Sequence, residues 1–241
     1  MKAMVFAAGL GTRLKPLTDH MPKALVPVAG KPLLEHILLK LKDAGCDTAV
    51  INVHHFADQI AEFLAARRNF GMDIRLSDER GCLLETGGGI KKARPLLGDD
   101  EPFLIHNVDI LSNADLKALY QAHLSAGADA TLLVSGRASS RHLLFDDAGQ
   151  LRAWENVTTG ETRCPIEGTR TDLLHTAAFS GIHVFSPSLF KEMDEFPDKF
   201  PIVDFYLRIC GRYRLLAYRQ EDLRLLDVGK TAALDQAAEY L

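Results

Sequence analysis

The residues best suited to handling a polyphosphate begin at Ala7-Ala8-Gly9-Leu10-Gly11-Thr12-Arg13-Leu14, directly after an apolar run. Glycine lets a backbone approach phosphate oxygens closely and present several N–H groups to them. Thr12 adds a hydroxyl, and Arg13 a planar fork of donors matched to phosphate. Lys23, in a proline-bounded turn, adds a compact positive charge that can fold back onto the same anion. Asp109 and Asp227 each follow a short apolar run, in Asn107-Val108-Asp109 and Leu226-Asp227-Val228-Gly229. Mg²⁺ prefers a few carboxylates completed by phosphate oxygens and water, so two aspartates beside a phosphate loop suffice to hold it.

Each of these features also has a plainer reading. A G-x-G after a strand is equally a tight turn, and an aspartate there often caps one. Two named alternatives fail on residue identity. A dinucleotide fingerprint needs a third glycine where the chain has Leu14, and a P-loop needs Ser or Thr after Gly30-Lys31, where the chain has Pro32.

The positioning elements follow from periodicity. Strands are expected at Ala3–Ala8, Thr48–Val53, Ile74–Leu76, Phe103–His106 and Ala130–Val134, alternating with helices at Pro32–Ala44, Phe56–Ala66, Gly89–Leu97 and Asp115–Ser125. This rhythm implies an α/β fold with a mostly parallel sheet between helices, where ligands sit beyond the carboxyl ends of the strands. Farther on, Leu143–Phe145 and Leu151–Trp154 read as a hairpin, and Thr158–Thr176 as a polar loop over the site. Strands then follow at Phe179–Phe185, Arg214–Arg219 and Leu223–Leu226, with helices at Pro201–Cys210 and Thr231–Leu241. With no linker or repeat, residues 1–241 are expected to form a single domain.

The chain has 241 residues, 47% hydrophobic and 25% charged, and a net charge of −4, so nucleic acid is not an expected partner. No stretch approaches the roughly 20 apolar residues of a membrane span. Cys46, Cys82, Cys164 and Cys210 lie far apart without a C-x-x-C pair, which excludes a zinc or redox motif and suits a cytoplasmic protein with free thiols. His54, His55 and His106 fall at the expected ligand edge, in spacing that suits packing rather than a metal. Trp154 reads as a core anchor.

The run from Lys2 to Leu34, KAMVFAAGLGTRLKPLTDHMPKALVPVAGKPLL, resembles the sugar nucleotidyltransferases nearly residue for residue. LLETGGGIKKA, followed by PLLGDDEPFLIHNVDI, resembles more narrowly the small bacterial N-acetylmuramate 1-phosphate uridylyltransferases and the small mannose-1-phosphate guanylyltransferases. The resemblance covers most of the chain and implies a Rossmann-like mixed sheet. It implies that Ala8, Gly9, Gly11, Thr12, Arg13 and Asn107 hold the nucleotide, and that Lys23 contacts the α-phosphate. Glu85, Gly87 and Gly88 would read the base, Asp109 and Asp227 would hold Mg²⁺, and Glu155, Ser180 and Gly181 would meet the sugar. Many relatives follow that glutamate with lysine and proline, the lysine holding the sugar phosphate. Here Asn156-Val157 follows, leaving Arg163 or Arg170 as substitutes.

The implied reaction joins a nucleoside triphosphate to a sugar 1-phosphate and releases pyrophosphate. Rival readings are a phosphocholine-type cytidylyltransferase, a silent nucleotide-sensing subunit and a dinucleotide-dependent oxidoreductase. Silent relatives would be expected to lose Arg13, Lys23 or the aspartates, all retained here, and Leu14 weighs against the last. Gly87–Gly89, read as a turn with bare main-chain groups, matches a pyrimidine edge and favours UTP. The acceptor and the oligomeric state leave no mark in these motifs.

Overall fold

The computed structural model describes residues 1–229 together with 233, 234, 236 and 237, so the helix expected over Thr231–Leu241 falls largely outside the described residues. The first half runs through β1 (Lys2–Phe6), β2 (Pro27–Val28), β3 (Lys31–Pro32), α1 (Leu33–Asp43), β4 (Thr48–Val53), α2 (Ala57–Ala66) and β5 (Asp73–Asp78). It continues through α3 (Glu85–Leu97), β6 (Phe103–Asn107), β7 (Ile110–Ser112), α4 (Leu116–Ala126) and β8 (Ala130–Ser135). The second half contains β9 (Arg141–Phe145), β10 (Leu151–Asn156), β11 (Glu161–Arg163), β12 (His175–Phe185), α5 (Phe190–Met193), α6 (Ile202–Ile209), β13 (Leu215–Arg219) and β14 (Leu225–Asp227).

A ten-stranded sheet has the order β11-β10-β9-β12-β6-β1-β4-β5, with β8 pairing β12 and β13. Its central strands β6, β1, β4 and β5 are parallel, and β12 turns the sheet antiparallel beside β6. Parallel strands covered on both faces read as unbroken apolar runs, and Ala3–Val5 and Ala49–Ile51 are fully buried. Val5 and Ile51 pack toward α1, α2 and α4, while Met4 and Val50 pack toward α3, α5 and α6.

Two expectations fail here for local reasons. Thr158–Thr176 is not a free loop: Asn156 Oδ1 accepts from Thr158 and Thr159 N–H at 3.0 and 3.4 Å, reversing the chain into β11 against β10. β12 also starts earlier than expected, at His175, where its exposed first residues lack an apolar signal. Beyond these, β7 was not anticipated: it is a strand of only three residues that pairs antiparallel with β14 and carries too little pattern to read.

Three polar side chains fasten helix to sheet near α4: His123 lies 3.0 Å from both Thr131 Oγ1 and Ser186 Oγ. His183 is buried between the rings of Phe179 and Tyr206. Burial pushes His123 down to about 4 and His183 to about 3. Below the ordinary value of 6.5 the unfolded chain binds these protons and the folded chain does not, so stability falls as the pH drops from 6.5 toward 4. Each histidine should remove about 1.4 kcal/mol per pH unit in that window. Thermal unfolding between pH 7 and pH 5 should therefore show a shallower decline for His183→Phe than for the wild type, and parallel declines would show that His183 does not carry this effect.

Candidate functional site

β1 delivers Ala7 and Ala8 to the carboxyl edge of the sheet. Their N–H groups are both held by Asn52 Oδ1, at 2.7 and 3.3 Å. Asn52 donates to Glu79 Oε1 at 2.8 Å, and Glu79 Oε2 accepts from Leu84 N–H at 3.1 Å. Asn52 and Glu79 are buried, so this relay links the glycine loop to the entry of α3 away from water. Sequence reasoning missed both. Asn52 did leave a signal, as the one polar residue inside the run Ala49–Val53.

The loop then spends its glycines differently. Gly11 has φ +65°, and a Cβ there would lie 2.8 Å from Thr18 Cγ2, so conformation and space both call for glycine. Gly9 has open space around its Cα and lines the cavity beside Ala8. Thr12 opens a 3₁₀ turn and is not among the residues lining either site cavity. Leu14 is fully buried, which agrees with its not being a third phosphate glycine.

The expected glycine turn is a correction: Gly87–Gly89 lie inside α3, which starts at Glu85. Their missing side chains serve packing. A Cβ on Gly87 would fall 2.2 Å from the Phe200 ring, and one on Gly88 would fall 2.0 Å from the Asp198 carbonyl. The N–H groups of Gly87 and Gly88 donate to the Phe200 carbonyl at 2.8 and 3.2 Å, so they are not bare donors for a base. What faces the cavity is Glu85 and Thr86, and Glu85 is held at φ +61°, a conformation costly for a residue with a side chain.

Lys23 and Asp109 form a direct ion pair. Lys23 is buried, while Arg13 is exposed. Pairing of β7 with β14 sets Asp227 opposite Ile110, and Val228 N–H donates to the Asp109 carbonyl at 2.8 Å, bringing the two aspartates to one place. Gly229 lies against both Arg13 and Asp227: a Cβ there would strike Arg13 Nη2 at 2.6 Å and Asp227 Oδ1 at 2.7 Å. Among the described residues no group of three or more His, Cys, Asp or Glu side chains could hold a metal. A pair of carboxylates open to phosphate oxygens fits Mg²⁺, which rarely needs a full protein cage.

Two cavities meet at these charges, sharing Phe6, Thr86, Asn107 and Asp109 as a common wall. The first, about 240 Å³, is lined by Ala8, Gly9, Lys23 and Glu85. The second, about 340 Å³, is lined by Arg13, Arg137, Ser180, Gly181, His183 and Asp227. β12 reaches it through a register shift between Phe179 and His183, where Gly181 adopts φ +78° and a Cβ would strike Asn107 Nδ2 at 2.4 Å. Glu155 lines neither cavity; His142 Nδ1 lies 3.1 Å from its carboxylate. His54 Nδ1 lies 2.7 Å from the Glu79 carbonyl and His106 Nδ1 2.8 Å from the Asn107 carbonyl, both packing roles. Burial pushes His106 down to about 4, leaving it neutral near pH 7.

Residues 2–145 match the family model described as nucleotidyl transferase. The chain is 37% identical over 227 residues to the N-acetylmuramate alpha-1-phosphate uridylyltransferase of Caulobacter vibrioides, covering 92% of this chain and 89% of that one. It is 46% identical over 132 residues to the protein of the same name from Neisseria meningitidis serogroup B, covering 52% and 57%. A solved UDP-glucose pyrophosphorylase complexed with UDP-glucose shares the fold, with a TM-score of 0.79 over 99% of this chain and 97% of that one at 18% identity.

The two kinds of glycine should respond differently to a methyl group. Gly88→Ala drives a Cβ into the backbone of Asp198 and should cost roughly 1–3 kcal/mol of stability. Gly9→Ala meets nothing and should leave the thermal midpoint unchanged. Equal midpoints for the two variants would contradict the packing role of the α3 glycines.

Proposed function

The chain belongs to the nucleotidyl transferase family, and on that premise we propose that it couples UTP to a sugar 1-phosphate, N-acetylmuramate 1-phosphate first among candidates, releasing pyrophosphate. The observation that carries this reading is the meeting of Lys23, Asp109, Arg13 and Asp227 where the two cavities join. One cavity suits the nucleotide and the other the acceptor. An oxygen of the acceptor phosphate attacks the α-phosphorus, and the bond to the departing pyrophosphate breaks. Positioning and charge neutralisation supply most of the rate.

In this reading Lys23 lies against the transferring phosphorus and Arg13 against the polyphosphate, offsetting charge that grows in the transition state. Asp109 and Asp227 would hold Mg²⁺, which when bound neutralises phosphate oxygens. Gly9 and Ala8 line the triphosphate, while Glu85 and Thr86 flank the base. Support for uridine comes from the two uridylyltransferase relatives rather than from bare glycine amides. Ser180 and Gly181 line the acceptor side. The four free cysteines suit a cytoplasmic protein.

Initial rates with UTP, GTP, CTP and ATP against a common sugar 1-phosphate test the assignment. UTP should lead by tenfold or more, in keeping with about 1–3 kcal/mol for each unpaired polar group at the base. A comparable preference for GTP or CTP would overturn the choice of base. Lys23→Ala and Arg13→Ala should each lower turnover by roughly 10²-fold or more. Full turnover in excess EDTA would refute the metal role of the aspartates.

A further inference from the structure

The chain lacks a lysine after Glu155, so the acceptor's negative charge needs another partner. Arg163 and Arg170 do not meet that need. Arg163 Nη1 is 2.7 Å from Asp204, and its guanidinium lies over Trp154 at 4.1 Å from the ring centroid. Arg170 is paired with Asp172 at 2.6 Å. Neither lines the cavity that contains Ser180 and Gly181.

Arg137 does line it, reaching in from the connection between β8 and β9. Among the described residues a single hydrogen bond orients its fork: Nη2 donates to the Phe179 carbonyl at 3.2 Å, beside the register shift that forms the cavity wall. Among the described residues no carboxylate lies within ion-pair distance of Arg137, in contrast to Arg163 and Arg170. Guanidinium carries five N–H donors, so most of the fork is free for a two-oxygen anion. The same wall holds a second polar group without a partner among the described residues: both ring nitrogens of His183, which is 1% exposed. A buried polar ring against a cavity is stabilised when a ligand supplies hydrogen bonds.

We infer that Arg137 is the anion anchor of the acceptor side, binding a two-oxygen anionic group of the sugar phosphate substrate. The inference rests on the proposed reaction. Two groups share this chemistry: the 1-phosphate itself, and a carboxylate carried on the sugar ring, as in the lactyl ether of N-acetylmuramate. Because the side chain is exposed and holds one backbone carbonyl, its removal should leave the fold intact.

The experiment is steady-state kinetics of the wild type, Arg137→Gln and Arg137→Lys with UTP and Mg²⁺, using N-acetylmuramate 1-phosphate and N-acetylglucosamine 1-phosphate. Arg137→Gln should raise the acceptor KM about 10- to 100-fold while the KM for UTP changes less than about twofold. Arg137→Lys should recover part of the loss. A rise with both acceptors assigns the contact to the phosphate, and a rise with N-acetylmuramate 1-phosphate alone assigns it to the carboxylate. Unchanged acceptor KM values in an active variant overturn the inference, as does a parallel rise in the UTP KM with a lowered melting temperature. A wild type that turns over neither acceptor refutes the proposed reaction, and the assignment of Arg137 falls with it.

Discussion

The carboxamide of Asn52 fixes the geometry on which the site depends. Two backbone N–H groups that leave β1 with no ladder partner converge on its oxygen, and its nitrogen is committed to Glu79. Because both side chains are buried, an unmade bond there would cost the full desolvation of the polar group. The glycine loop is therefore anchored at its root while its tip at Gly9 stays unencumbered. Through Glu79 and Leu84 the same relay sets where α3 begins, and so where Glu85 and Thr86 stand. Preorganisation of this kind removes the entropy of ordering a loop at the moment a ligand binds.

Electrostatics at the junction of the cavities follows from that anchoring. Lys23 is buried and balanced by Asp109, so the local field is neutralised within the protein itself. A polyphosphate and a divalent cation entering together would supply the same two charges in exchange, the anion to Lys23 and the cation to the aspartates. Arg13 stays exposed beside Gly229.

Much of this was legible in the sequence, for definite reasons. The parallel strands are buried on both faces, so Ala3–Val5 and Ala49–Ile51 read as apolar runs, and the helices between them keep their period. The residues from Ala7 to Lys23 form a local motif, and its spacing survives translation into three dimensions. What the sequence concealed depends on partners far along the chain. Nothing near Gly87–Gly89 reveals that Phe200 and Asp198 will press on them, so a packing requirement reads as a flexible turn. Arg137 sits in no motif, and only in the folded chain does it meet the Phe179 carbonyl and the cavity lined by Ser180 and Gly181. Arg163 looked available because Asp204 lies on a different element.

The pairing of β7 with β14 has a consequence for the order in which the molecule matures. The stretch that matches the family model ends at residue 145, and it already holds the glycine loop, Lys23 and Asp109. Asp227 comes from the far end of the described chain and joins only when β14 closes on Ile110–Ser112. Closing so long a loop is entropically uphill until its contacts form, which places it among the later events of folding. The residues of the glycine loop, Lys23 and Asp109 thus precede the second carboxylate by more than a hundred positions along the chain. Assembly of the acidic pair thus reports that β14 has closed on β7, an event separate from the formation of the first half.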